Sequence, residues 1–306
     1  MKLSDKNINI LVAYPYYTKQ LQEYLIGKND INLLLDSGAF TAWKAGQTIN
    51  VDEYCKFIES LPTKPWRYFA LDVVGNPIET LKNYKIMLKR GFKPIPIFTR
   101  GEDISVLEEY YSTSDLVGVG GLVGTKKNKA FVNALMKRIK GRKVHWLGFT
   151  NIKYIKYYKP YMCDSSSWLT GSRYASFNLY CGNGQFEKIN KKQFINSTDY
   201  LNGNDLNIKN VITKYGFNYF DLQKTNGWIG GNSTIRNLCA SSYIKLSSDI
   251  ETNLKTKFFL AASNKSDVKK LYDNYQNLRS MYGYSSCTFK WWARLNNLFT
   301  LGDAKI

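Results

Sequence analysis

Two kinds of hydrophobic pattern alternate along the first two thirds of this chain. Short apolar runs recur at roughly the spacing of a strand, a crossover helix and two loops: Ile8 to Tyr14, Ile31 to Leu35, Trp66 to Leu71, Pro94 to Phe98, Leu116 to Val119, Lys143 to Leu147 and Pro160 to Cys163. Runs of this length without polar alternation are those of parallel strands buried on both faces. Between them lie helical spacings, such as Ile78, Leu81, Tyr84 and Leu88 ahead of Gly91, or Phe131, Leu135 and Ile139 ahead of Gly141. Each ends on the glycine expected just past a helix. The pattern predicts an α/β fold, a TIM-like (β/α)8 barrel that is either complete or modified. An eighth strand is placed at Phe177 to Cys181, although Cys181-Gly182-Asn183-Gly184-Gln185 also reads as a hairpin turn with Phe186 to Ile189 returning beside it. Closure of the barrel is left open.

Beyond about Lys191 the strand runs thin out and Asn, Ser, Thr and Gly become frequent. Two helices stand clear there. One carries Ile208, Val211, Ile212 and Tyr215 before Gly216; the other starts at Ser266-Asp267 and carries Val268, Leu271, Tyr275, Leu278 and Met281 before Gly283. The expected organisation is a barrel over 1–190 and a mainly helical region over 191–306 that packs on it or contacts nucleic acid.

Composition narrows the class of partner. The chain has 306 residues, is 44% hydrophobic and carries a formal charge of +19 with 15% aromatics. It can bury a full core, and its charge suits a polyanion whose bases stack on aromatic rings. A lysine-rich surface that serves only solubility is the competing account. No apolar stretch is long enough to span a bilayer, and the first residues lack a signal-peptide core, so a cytoplasmic location is expected. The five cysteines form no CxxC pair, which points away from a disulfide framework and from a zinc site. The Asn-Ser-Thr triplets at Asn196 and Asn232 then carry no glycosylation meaning.

Three of the apolar runs end on an acidic residue: Asp36 in Asp36-Ser37-Gly38-Ala39-Phe40, Asp72 after Phe69-Ala70-Leu71, and Asp164 after Tyr161-Met162-Cys163. In parallel α/β folds the reactive groups sit at the carboxyl ends of strands, so these carboxylates are expected to converge. Helix capping competes for Asp36 and Asp164, and an Asx turn for Asp72. Gly38 would let the backbone approach a ligand, with Phe40 and Trp43 as an apolar or stacking wall. The glycines of Val117-Gly118-Val119-Gly120-Gly121-Leu122-Val123-Gly124 suggest backbone groups presented to a ligand, with Lys126, Lys127 and Lys129 near enough to help hold a phosphate. Asp164 precedes Ser165-Ser166-Ser167-Trp168 and Gly171-Ser172-Arg173, donors that would keep it ionised as a nucleophile. His145, the single histidine, lies within an apolar strand and reads first as a core residue. Carboxylates are therefore the acid-base candidates.

In order along residues 8 to 190, these motifs resemble the tRNA-guanine transglycosylase superfamily, most closely its phage and bacterial branch that places 7-deazaguanines in DNA. The family's DSGG-F/Y turn with its acid-base Asp is matched by Asp36 to Phe40. Its purine-reading Asp is matched by Asp72, its Gly-Gly-Leu base-contact strand by Gly120-Gly121-Leu122, its Leu/Met-Gly by Leu147-Gly148, and its nucleophilic Asp by Asp164. A downstream Gly-Arg is partly echoed in Gly171-Ser172-Arg173. Ala39 replaces the second glycine of the turn, and Thr99-Arg100-Gly101-Glu102 stands where the family has Gln-Gly, leaving Arg100 to meet base or phosphate in another way. The Cys-x-Cys-x-x-Cys zinc motif of tRNA-acting members is absent, which favours DNA as substrate.

The resemblance implies a base exchange that needs neither metal nor cofactor: Asp164 attacks C1′ of a guanosine nucleotide, and Asp36 protonates the leaving guanine and then deprotonates an incoming 7-deazaguanine such as preQ0. It implies substrate contacts from Asp72, Gly120, Gly121, Leu122, Ser37, Phe40, Arg100, Gly148 and Trp168, and nucleic-acid contacts from Arg173, Lys126, Lys127 and Lys129. A phage-encoded enzyme would act in the host cytoplasm. The rival readings are a transglycosylase acting on tRNA, a non-catalytic nucleic-acid-binding relative, and a barrel enzyme for a small phosphorylated molecule.

Overall fold

A computed structural model describes residues 7–122, 128–195, 203–230 and 233–282. Seven strands follow one another as the apolar runs predict: β1 (Ile8–Ala13), β2 (Ile31–Asp36), β3 (Arg67–Tyr68), β4 (Ile97–Phe98), β5 (Leu116–Val119), β6 (Lys143–Trp146) and β7 (Met162–Ser165). An antiparallel hairpin, β8 (Ser176–Gly182) with β9 (Gln185–Asn190), comes next, and β10 (Lys257–Ala262) is the last strand among the described residues. Eight strands form one parallel sheet in the order β3-β2-β1-β10-β7-β6-β5-β4. The sheet curls until its outer strands meet, where Phe69 bridges Ile95; Ala70 N–H donates to Ile95 O at 2.8 Å and Ile95 N–H to Tyr68 O at 2.8 Å. The architecture is TIM-like.

The eighth strand is thus β10 and not Phe177 to Cys181, which pairs with its own hairpin partner. The Gly-Asn-Gly turn decides this, because Asn183 and Gly184 both take positive φ, the conformation that folds a strand back on itself. Phe258-Phe259-Leu260 is as apolar as any earlier run, but a long excursion of polar composition separates it from β7 and breaks the regular spacing. The described residues accordingly divide into one compact unit of 7–122, 128–165 and 255–265, and a second of 166–195, 203–230, 233–254 and 266–282. In this division the first unit breaks after Ser165 and takes in β10 later in the chain.

Inside the sheet, side chains alternate with a period of two. Leu11, Leu34, Phe69, Ile95, Ile97, Leu116, Met162 and Phe259 form a buried cluster contributed by strands all round the sheet. Gly118 belongs to this packing: a Cβ there would come within 2.9 Å of the Phe69 ring and 3.0 Å of Leu147. Its lack of a side chain makes room for Phe69, so at this glycine packing explains what ligand access was expected to explain.

The second unit contains the hairpin and, among its described helices, Gly203–Lys214, Thr234–Leu254 and Lys265–Tyr282. The 21-residue helix Thr234–Leu254 has no clean apolar stripe, because Ser241, Ser242 and Lys245 are buried in it. Their polar groups are paired: Ser242 Oγ accepts from Tyr180 N–H at 2.8 Å, Ser241 Oγ donates to Asn274 Oδ1 at 3.0 Å, and Lys245 pairs with Asp249. The helix Lys265–Tyr282 begins one residue before the expected Ser266 and buries Asp267 against Arg236. No described helix is long and apolar enough to cross a membrane.

Candidate active site

Strand periodicity sets the site. Leu34 and Met162 are in the buried cluster, so Asp36 and Asp164, two residues further along the same strands, emerge on the same interior face at the carboxyl ends. His145 pairs in register with Gly118 on β5 and Met162 on β7, and so faces the same way. The site begins where the apolar layer ends.

After β2 the chain turns sharply. Gly38 has φ +76°, and a Cβ there would lie 2.2 Å from Pro15 Cδ, so the close approach this glycine allows is to Pro15, not to a ligand. Gly38 N–H donates to Asp36 Oδ2 at 3.0 Å, an Asx turn, and Ala39 N–H donates to Ser37 Oγ at 3.2 Å as the helix Ala39–Lys44 starts. Gly38 occupies the N-cap position, so capping does not account for Asp36. Ser37 Oγ donates to Asp72 Oδ1 at 2.7 Å, which ties the second strand-end carboxylate to the first loop.

Asp36 has its carboxyl pushed up to about 7, first by burial and then by the negative charges of Asp72 and Asp164, against a downward pull from the Gly38 and Ser37 N–H groups. The three expected carboxylates therefore share one electrostatic neighbourhood. Burial also raises Asp72, which the Ser37 hydroxyl partly offsets. Such a spread of environments is how a fold assigns acid and base roles to like groups.

Asp164 is held differently. His145 Nε2 lies 2.9 Å from its Oδ1, and Gly148 N–H donates to the same oxygen at 2.9 Å. No hydrogen bond among the described residues falls on Oδ2. The side chain of Asp164 is 11% exposed and that of His145 is fully buried. Sequence pattern placed His145 in the core, which is correct, and left it out of the site, where its ring nevertheless reaches. The only signal was its place in a strand before Leu147-Gly148, and strand register is not readable from one sequence.

The other expected residues are spread over several loops and helices. Phe40 and Trp43 stand exposed on the helix that follows Asp36, with rings stacked at 5.9 Å and Lys44 Nζ 4.3 Å from the Phe40 centroid. Gly120 and Gly121 follow β5 directly; Gly120 N–H donates to Phe98 O at 2.9 Å, Gly121 is exposed at φ +71°, and Leu122 is buried. Arg100 sits in the turn after β4, its guanidinium 5.7 Å from the Phe131 ring centroid, while Glu102 accepts from Thr99 N–H at 2.9 Å. Trp168 and Arg173 belong to the second unit, Trp168 buried and Arg173 exposed. Lys129 is exposed on the helix Asn128–Ile139, whereas Lys126 and Lys127 fall outside the described residues, as do Asn196, Asn232 and Gly283.

No family model, characterised protein or solved structure was found to match this chain.

Proposed function

We propose that this protein is a base-exchanging guanine transglycosylase acting on DNA, with Asp164 as nucleophile and Asp36 as acid and base. The observation that carries the reading is the electrostatic convergence of Asp36, Asp72 and Asp164, with Asp36 raised to about 7. A carboxyl poised there donates a proton in one half of a cycle and accepts one in the other at neutral pH. In the first half, Asp164 Oδ2 bonds to C1′, the bond from C1′ to N9 breaks, and guanine leaves with the proton of Asp36. In the second, Asp36 takes the N9 proton of the incoming 7-deazaguanine, N9 attacks C1′, and Asp164 leaves as carboxylate. Asp72, fixed by Ser37, is suited to accept from the N1 and 2-amino groups of a guanine-like base.

Reaching C1′ of a stacked nucleotide requires that the base leave the helix. The exposed Phe40–Trp43 pair beside Asp36 supplies a stacking surface for it, and the +19 charge a reason for polynucleotide affinity. The test is incubation with radiolabelled guanine and DNA. Label should enter the polymer, Asp164→Ala should abolish entry while DNA retention persists, and turnover should peak near the Asp36 titration. Entry into tRNA alone would move the substrate to RNA; binding of both polymers without entry of label would favour a non-catalytic binding protein.

A further inference from the structure

The histidine behind Asp164 does more than fill the core. A carboxylate that acts as nucleophile only accepts, so under the base-exchange reading the nitrogen 2.9 Å from Asp164 Oδ1 carries its hydrogen. The other ring nitrogen, Nδ1, is buried without a hydrogen-bond partner. A doubly protonated ring would bury an unsatisfied N–H there, whereas the neutral ring with hydrogen on Nε2 leaves only a bare lone pair, the cheaper state. The ring is also held in place, its centroid 5.0 Å from that of Phe69, beside the space that Gly118 leaves open. Its donor is therefore fixed in both tautomer and direction.

Two fixed donors on one oxygen make the carboxylate unsymmetrical. Oδ1 is occupied by His145 and Gly148, and Oδ2 is left to react. When Oδ2 bonds to C1′, Oδ1 becomes the ester carbonyl and the carboxylate charge disappears. When the incoming base displaces the ester, the electron pair of the bond between C1′ and Oδ2 returns to the carboxylate, and charge regrows beside two N–H groups already in position. We infer that His145, as its Nε2–H tautomer, is a positioning residue that selects Oδ2 as the attacking atom and makes Asp164 a good leaving group in the second half of the cycle, an assignment that rests on the base-exchange reading above.

The experiment uses the full chain and two variants, His145→Leu and His145→Gln. A glutamine amide can present an N–H near the place of Nε2, and leucine cannot. His145→Leu should lower kcat for guanine exchange by about 10- to 100-fold, the usual loss for one hydrogen bond to a charged group. KM for the free base should stay within about twofold, because the donor acts on Asp164 and not on the base. The fraction of protein trapped as a denaturation-stable DNA adduct should rise, since ester release is the step impaired. His145→Gln should recover most of the rate. Unchanged turnover in His145→Leu, or equal impairment of both variants, would overturn the assignment in favour of simple packing.

A second measurement needs no activity. His145 is the single histidine of the chain, so protein labelled with 15N-histidine gives one imidazole to observe. Nε2 should carry the proton, Nδ1 should not, and Asp164→Ala should move the Nε2 resonance. A ring protonated on Nδ1, or one indifferent to Asp164→Ala, overturns the assignment whatever the exchange assay shows. Failure of the wild-type protein to exchange any base overturns the base-exchange reading and the leaving-group role with it, while the tautomer result separately decides whether the pairing exists.

Discussion

Replacing Asp36 by asparagine should stabilise the protein at alkaline pH and leave it unchanged in acid. The native carboxyl titrates near 7 instead of its ordinary 3.8. Below about pH 4 the group is protonated in both the folded and the unfolded chain, so asparagine, a neutral amide of the same shape, makes no difference. Between about 4 and 7 the folded protein keeps a proton that the unfolded chain has released. Folding stability then falls as pH rises, by about 1.4 kcal/mol per pH unit, and above about 7 the loss is complete. The full shift corresponds to about 4 kcal/mol. Part of the residue still reaches water, and part of the effect comes from Asp72 and Asp164, whose own charges adjust, so about 2–4 kcal/mol is the expected gain at pH 8. Urea unfolding of both proteins, followed by far-UV circular dichroism at pH 4, 6 and 8, measures the difference. If the gap between them is the same at all three values, Asp36 ionises like an ordinary surface carboxylate and the convergence of the three acids is not felt. A residue whose removal stabilises the fold is being kept for what it does.

Two further outcomes follow, one from the proposed DNA substrate and one from packing alone. Phe40→Ala combined with Trp43→Ala should weaken single-stranded DNA binding by at least about tenfold in a fluorescence-anisotropy titration, because each stacked base is worth roughly 1–3 kcal/mol. Both rings are more than half exposed, so the melting temperature should not move. Gly118→Ala should destabilise the barrel by about 1–3 kcal/mol through its 2.9 Å collision with Phe69, and Phe69→Leu in the same chain should return part of that in thermal unfolding.

How much of this was legible beforehand depended on whether the information was local. Seven strands announced themselves because buried parallel strands must be apolar throughout, and Asp36, Asp72 and Asp164 stood out because a charge at the end of such a run is a local contradiction. The strand Lys257–Ala262 was no less apolar, but what identifies it as the eighth is its pairing with β1 and β7, a relation between residues far apart in the chain. The helix Thr234–Leu254 was hidden for the opposite reason. Its buried Ser241, Ser242 and Lys245 interrupt the stripe that periodicity detects, and only the partners that satisfy them explain why they are tolerated. His145 combined both difficulties, being apolar in setting and brought to Asp164 only by the pairing of its strand with the neighbouring one.

The same register logic explains how the barrel tolerates three acids at its mouth. Leu34 and Met162 seal the interior two residues before Asp36 and Asp164, so the carboxylates sit on a dry floor and not within it. A dry floor raises the cost of charge, and each acid meets that cost differently. Asp164 is supplied with two N–H donors on one oxygen, Asp72 with the Ser37 hydroxyl, and Asp36 with two backbone N–H groups that fail to offset burial and its neighbours. Burial first, and then the charges of Asp72 and Asp164, hold the Asp36 carboxyl near 7 despite its two N–H donors. Adding a donor to Asp36 should therefore blunt its proposed acid–base role as surely as removing the carboxyl, since an acid held ionised has no proton to give.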